Sequence, residues 1–403
     1  MSNSSDKLRT LKKMDFKEGE LLETLQVLLN IEDTSFGIRD DYINLYYCGN
    51  SLLKIEYDDN KKALTVKFNA GHFCCYEGHK GVYPRKESEF EGWDDEWKKI
   101  KKALERDLGN NIVKLNKTID KYLEEKKAKE KPEWYFNDVL HNREEAETFK
   151  KEVCPILKKA VKYYVDRNDS KNSAKERKYA QELFAQNDWE QFSRGSSPCL
   201  FFSDSDYRLP DNKYDTIDKS ILNDLNEWPD KIFNDAKKIA LPGAPDGVGA
   251  FRKRSGKIVP CFIEVKYGTG SYSGSSGIRK HLRDMVILTK NTIEDRKKEI
   301  EFSYSYRSKQ PNAHIEWSNE KPMILFILNH SDTDEAKKKL IRIIKKLVKD
   351  VKGIDEAVSE YSDNIIFIFT KEEDGKDLIS CYLDETKHFS LKSLFDKKGI
   401  ATI

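Results

Sequence analysis

The features that most limit what this chain can fold into are two short, unbroken apolar runs in its second half, Met323 to Leu328 and Ile365 to Phe369. A strand with no polar side chain cannot show one face to water, so each run must be covered on both faces, as in a sheet held between helices. The surrounding pattern agrees. From residue 198 onward strands and helices alternate: a strand around Leu200 to Leu209, a helix within Ile217 to Ala240, a hairpin from Val248 to Tyr267 and a helix around Gly277 to Thr289. Between the two apolar runs lies an amphipathic helix over Glu335 to Lys352, with Leu340, Ile343, Ile344, Leu347, Val348 and Val351 on one stripe and Gly353 as its stop. This half is expected to be α/β, a mixed sheet flanked by helices.

The first half has a different texture. A helix-like stretch, Leu21 to Leu29, precedes three runs of alternating polar and apolar residues, Ile43 to Tyr47, Leu53 to Tyr57 and Leu64 to Phe68. Period-two patterning separated by turn residues predicts an antiparallel meander. A long helix is expected over Trp97 to Tyr122, then a Lys- and Glu-rich linker, Glu124 to Pro132, with no apolar face to bury. Two helices should follow, about Ala146 to Tyr164 and Ala174 to Gln186. The expected division is a smaller α+β domain over 1–130 and a larger α/β domain over 131–403.

Composition narrows the partners little. Lys and Arg number 72 against 70 for Asp and Glu, a net charge of +2, so any nucleic-acid face must be local. The seven cysteines, at 48, 74, 75, 154, 199, 261 and 381, show no repeating spacing and suggest no disulfide framework. The first residues are polar and no run is long and apolar enough for a bilayer, so a reducing cytoplasm and no membrane partner are expected. No Gly-rich nucleotide cradle is present, which argues against an ATP-driven step.

Chemistry concentrates in one segment: Pro245-Asp246-Gly247-Val248-Gly249-Ala250-Phe251, a basic Ser-Gly turn, and Ile258 to Gly268 containing Glu264-Val265-Lys266. A hairpin here brings Asp246, at the start of one strand, beside Glu264, near the end of the other. Strand alternation turns Phe262, Glu264 and Lys266 to one face and Cys261, Ile263 and Val265 to the opposite one. Two carboxylates suit a hard cation such as Mg²⁺ or Mn²⁺, with the Val265 carbonyl as a further oxygen, and a neighbouring lysine can orient water and stabilise developing charge. The bland alternative is a turn aspartate beside an ordinary Glu–Lys ion pair.

Pro245-Asp246 followed by Glu264-Val265-Lys266 resembles the signature of the PD-(D/E)XK nuclease superfamily. The resemblance implies a restriction-endonuclease-like core over the second half, with Asp246 and Glu264 as metal ligands and Lys266 as the catalytic lysine. The core's first helix and strand would be about Ala174 to Gln186 and Leu200 to Leu209, and Glu182 would match the extra acidic residue that many members carry. The long insertion before Asp246, and Pro260 within the second strand, depart from the compact pattern.

Weaker signals surround this constellation. Arg279, Lys280 and His281, in the first turn of the following helix, are candidates for contact with a nucleic-acid backbone or an ordinary polar face. Asp204, Asp206 and Asp215 suit turns and caps. His72, Cys74, Cys75 and His79 match no common zinc spacing. Lys98 to Lys102 and Lys337 to Lys339 read as solvated helix faces.

The expected function is therefore a Mg²⁺-dependent endonuclease acting on DNA rather than RNA, by likeness one of restriction or anti-phage defence. It would pair as a homodimer, since cutting both strands of a duplex needs two sites. Recognition, regulation or a protein partner is open to the first domain. The rival reading is a catalytically inactive nuclease-fold module that binds nucleic acid or protein, or an effector silent without an activator.

Overall fold

The computed structural model describes residues within 19–69, 134–165, 172–205, 245–308, 313–343 and 360–394, with short gaps inside these ranges. The helices expected over Trp97 to Tyr122 and Ile217 to Ala240, the Lys- and Glu-rich linker, and the His72 to His79 cluster lie outside the described residues. So do Asp206, Asp215 and Lys98 to Lys102. The chain divides into two compact units between Gln181 and Glu182. The sequence-based division after residue 130 falls inside the first unit, whose sheet continues to Leu140.

The first unit contains α1 (Glu20–Leu29), β1 (Ser35–Arg39), β2 (Tyr42–Tyr47), β3 (Asn50–Asp58), β4 (Ala63–Asn69), β5 (Trp134–Leu140) and α2 (Arg143–Glu152). Its sheet runs β1-β2-β3-β4-β5, each neighbour antiparallel. The expected meander is β2 to β4, and one further strand lies on either side. Ile43, Ile55 and Val66 face one another across three strands and are fully buried. On the other face Glu56 bridges Lys54 and Lys67, each at 2.5 Å. Cys48 and Gly49 both take positive φ, 49° and 69°, the pattern of the tight turn that matches strand twist. The buried Gln181 side chain ties this turn down: its Nε2 donates to the carbonyls of Asp33 (3.1 Å) and Tyr46 (2.9 Å), and its Oε1 accepts from Gly49 N–H.

The division falls within α3 (Asn172–Gln186), after which come β6 (Cys199–Ser205), β7 (Gly247–Arg252), β8 (Ile258–Tyr267) and a short 3-10 turn, Thr269–Tyr272. They are followed by α4 (Ile278–Arg307), β9 (Met323–Asn329), β10 (Ile365–Thr370), α5 (Leu378–Leu383) and β11 (His388–Ser390). The second sheet has the order β11-β10-β9-β8-β7-β6. Strands β6, β7 and β8 form an antiparallel meander, β8, β9 and β10 run parallel, and β11 returns antiparallel.

Every residue of β9 and β10 is buried, as two-sided coverage requires. On one face Ile278, Leu282 and Met285 of α4 pack with Phe262, Phe326 and Phe367 of the sheet. On the other, Phe184 of α3 lies against Phe202 (ring centroids 4.2 Å apart) and Tyr382 of α5 against Phe251 (5.0 Å). This second unit is thus α/β with a mixed sheet between helices.

Helix α4 extends to Arg307, well beyond the expected end at Thr289. The charged residues that interrupt its apolar stripe turn inward. Arg296, fully buried, pairs with Glu299 at 2.6 Å, and Ser303 donates to the Ser203 carbonyl at 2.9 Å, fixing the helix on β6. A pattern reader follows apolar periodicity, and a buried ion pair is invisible to it.

Candidate active site

The β7–β8 hairpin turns through Arg254-Ser255-Gly256. Lys253 N–H donates to the Lys257 carbonyl (2.8 Å), Gly256 N–H donates to the Lys253 carbonyl (2.9 Å), and Gly256 takes φ 82°. This is a three-residue loop in which only the last residue needs the left-handed region, where glycine meets no steric cost. The register is continuous from Arg252↔Ile258 to Gly247↔Ile263.

That register sets the site. Hydrogen-bonded and non-hydrogen-bonded pairs alternate along an antiparallel ladder, and Lys253 with Lys257 is a bonded pair. Ala250↔Pro260 is then a non-bonded pair, so Pro260 withholds no N–H from β7. Its other side precedes the ladder with β9, which starts at Cys261↔Met323. Pro260, which departs from the compact pattern within the second strand, is accommodated without a lost bond. Asp246 directly precedes Gly247, whose partner on β8 is Ile263, the neighbour of Glu264.

Asp246 stands immediately before the start of β7, and its Oδ2 accepts from Val265 N–H at 2.7 Å. The carboxylate takes the ladder donor that β7 no longer reaches, which draws Asp246 against the Glu264-Val265 peptide. Gly247, next to it, packs under the Phe184 ring, 2.8 Å from where a Cβ would stand. Gly249 approaches β6 so closely that a Cβ would lie 1.9 Å from the Phe201 carbonyl oxygen.

Glu264 and Lys266 are 1% and 3% exposed, and Lys266 Nζ is 2.6 Å from Glu264 Oε1. The same oxygen accepts from His281 Nδ1 at 3.0 Å, in the first turn of α4. Glu264 Oε2 is buried and accepts no hydrogen bond among the described residues. Burial by itself would raise the Glu264 pKa, but the Lys266 ammonium and His281 outweigh it and hold the carboxyl below its ordinary value. A charged carboxylate inside an apolar sheet is thus sustained by two donors on one of its oxygens.

Of the residues singled out in the sequence, Asp246 is bonded to the Val265 N–H and Glu264 is paired with Lys266. The structure adds a contact that sequence reasoning missed: His281, read as a backbone-phosphate candidate, is bonded to Glu264. No spacing rule links a strand residue to one face of a helix that follows a Gly- and Ser-rich loop. Lys280 is ion-paired along its own helix with Asp284, which is 1% exposed, and the Arg279 side chain lies outside the described residues. Glu182 is exposed on α3, and no hydrogen bond or ion pair joins it to Asp246 or Glu264 among the described residues. Nor, among those residues, does any group of three or more His, Cys, Asp and Glu gather to hold a metal ion.

No protein-family model, curated protein or solved structure matches the chain. Among the described residues no helix is long and apolar enough to cross a membrane.

Proposed function

We propose that the second unit is a metal-dependent nuclease of the PD-(D/E)XK type, hydrolysing phosphodiester bonds in nucleic acid, DNA rather than RNA. The observation that carries this reading is Asp246 bonded to the Val265 N–H, next along the strand from Glu264, whose buried Oε2 accepts no hydrogen bond among the described residues and whose other oxygen pairs with Lys266. The order α3, β6, β7, β8, α4, β9, three antiparallel strands between helices followed by a parallel strand, supports it, because it follows the restriction-endonuclease-like core implied by the sequence.

The donor set fits a hard divalent cation, being two carboxylates that offer oxygen only. Asp246, Glu264 through Oε2, and the Val265 carbonyl would hold Mg²⁺ or Mn²⁺, leaving other positions to water and phosphate. Such an ion, when bound, neutralises phosphate charge and makes water a better nucleophile at neutral pH. Lys266 contributes a fixed positive charge next to the carboxylates, where it orients the attacking water and stabilises charge developing on the phosphate. Lys280 and His281, with Arg279, stand at the start of α4, where a helix N-terminus and basic groups favour a phosphate backbone. By likeness alone, restriction or anti-phage defence is the proposed setting, with two copies acting on the two strands.

One observation favours a second reading. Lys266 and Glu264 are closed on each other and almost wholly buried, as in a structural ion pair. The unit would then be a nuclease-fold module that binds nucleic acid or a protein partner without catalysis, or an effector that an activator must open. The test is cleavage of supercoiled plasmid, single-stranded DNA and RNA by the wild type, Asp246→Asn and Glu264→Gln, with Mg²⁺, Mn²⁺ or EDTA. Metal-dependent cutting by the wild type, reduced at least about a hundredfold in both variants, is expected. Equal activity in all three proteins would refute the assignment.

A further inference from the structure

Resting on the nuclease reading above, we infer that His281 is a positioning residue for the metal: its Nδ1 and Lys266 together claim Glu264 Oε1 and so reserve Oε2 for the ion. A glutamate side chain has rotatable bonds enough to present either oxygen, and burial alone does not choose between them. Here the choice is made by two donors on one oxygen, Nζ at 2.6 Å and Nδ1 at 3.0 Å, while the other oxygen is buried and accepts none among the described residues.

The two donors come from different parts of the fold. Lys266 lies two residues along the same strand and moves with Glu264. His281 belongs to α4, which is anchored to the sheet by the fully buried Ile278 and Leu282 on either side of it. It therefore refers the carboxylate's orientation to the helix that covers it. His281 itself is 14% exposed, so its removal opens no large internal cavity. This is the logic by which groups behind a metal ligand fix its geometry, and losing such a group typically weakens metal affinity about 10–100-fold.

The test is Mn²⁺ binding by the full chain, followed by electron paramagnetic resonance and calorimetry without nucleic acid, in the wild type, His281→Asn, His281→Leu and Glu264→Gln. Asparagine Nδ2 falls near the position of histidine Nδ1 and can donate the same bond; leucine cannot. Expected are wild-type-like affinity in His281→Asn, a loss of about 10–100-fold in His281→Leu and little or no binding in Glu264→Gln, with all four proteins giving matching circular dichroism in EDTA. If Glu264→Gln abolishes binding while His281→Leu binds as the wild type does, the positioning role is overturned and the metal site stands. If both His281 variants weaken binding equally, packing and not the hydrogen bond is responsible, and the inference is likewise overturned. Absence of Mn²⁺ binding by the wild type, or binding indifferent to Glu264→Gln, would sink the nuclease reading itself and the inference with it.

Discussion

Replacing Lys266 by methionine keeps a long unbranched side chain of similar volume and removes only the ammonium, so it isolates the charge within the buried pair. With Nζ 2.6 Å from Glu264 Oε1, Coulomb attraction at an effective dielectric of about 20 is about 6 kcal/mol. Part of that is offset by the cost of dehydrating the lysine, and His281 still donates to the stranded carboxylate. The expected net loss is about 3–5 kcal/mol, the usual cost of removing one partner from a buried pair. For a unit of this size that is a fall in Tm of roughly 6–20 °C. In Glu264→Gln/Lys266→Met neither charge remains, and most of the loss should be recovered, to within about 2 kcal/mol of the wild type.

The pH dependence has a definite sign. In the wild type the Glu264 carboxyl is held below its ordinary value, so its pairing contributes stability above the unfolded-state pKa of about 4.3 and loses it as pH falls through the lower folded value. In Lys266→Met burial acts without the ammonium and drives the carboxyl upward. The folded variant then takes up a proton before the unfolded chain does, and its deficit shrinks on acidification. Urea unfolding in EDTA at pH 7.5 and pH 5, followed by circular dichroism, reads both effects. A variant within about 1 kcal/mol of the wild type at pH 7.5, or a deficit unchanged at pH 5, would refute the buried-pair argument.

In the first unit, Gln181→Leu strips partners from Gly49 N–H and from the carbonyls of Asp33 and Tyr46. A loss of about 2–4 kcal/mol is expected, with faster hydrogen exchange at the Gly49 amide; unchanged exchange there would count against the tie. At the far end of the β7–β8 hairpin, Glu320 pairs with Lys253 (2.5 Å) and Lys257 (2.6 Å), and these hydrogen bonds hold its carboxyl at about 2. Because the group is solvent-screened, Glu320→Gln should cost less than about 1 kcal/mol at pH 7. That contribution disappears as pH falls from the ordinary carboxylate range toward about 2, so thermal melts whose difference from the wild type does not narrow with acid would contradict it.

Much of the second unit could be read from the chain because its signals are local. The apolar runs that become β9 and β10, the turn through Gly256 and the alternation that aligns Glu264 with Lys266 each depend on neighbours in sequence. The meander over β2 to β4 was legible for the same reason. What escaped is what tertiary contact decides. Strands β1 and β5 extend the first sheet by pairing at its flanks, and β5 lies across a long stretch of sequence from β4. The second half of α4 hid behind Arg296 and Glu299, a charged pair that looks like surface until the sheet covers it. His281 carried the right chemistry for several roles, and only the docking of α4 on β8 selects Glu264 as its partner.

The hairpin loop Arg254-Ser255-Gly256 has a consequence for how this protein can vary. The pairing of β7 with β8, from Arg252↔Ile258 to Gly247↔Ile263, is set by counting back from the loop, so the loop acts as a ruler whose length matters more than its lettering. Changes at Arg254 or Ser255 leave the count intact. One residue inserted or deleted there would slide β8 by one position, and with a side-chain period of two the position opposite Gly247, now Ile263, would then hold a side chain from the opposite face of β8. A lineage could therefore rewrite the surface of this loop freely while being held to a fixed number of residues within it.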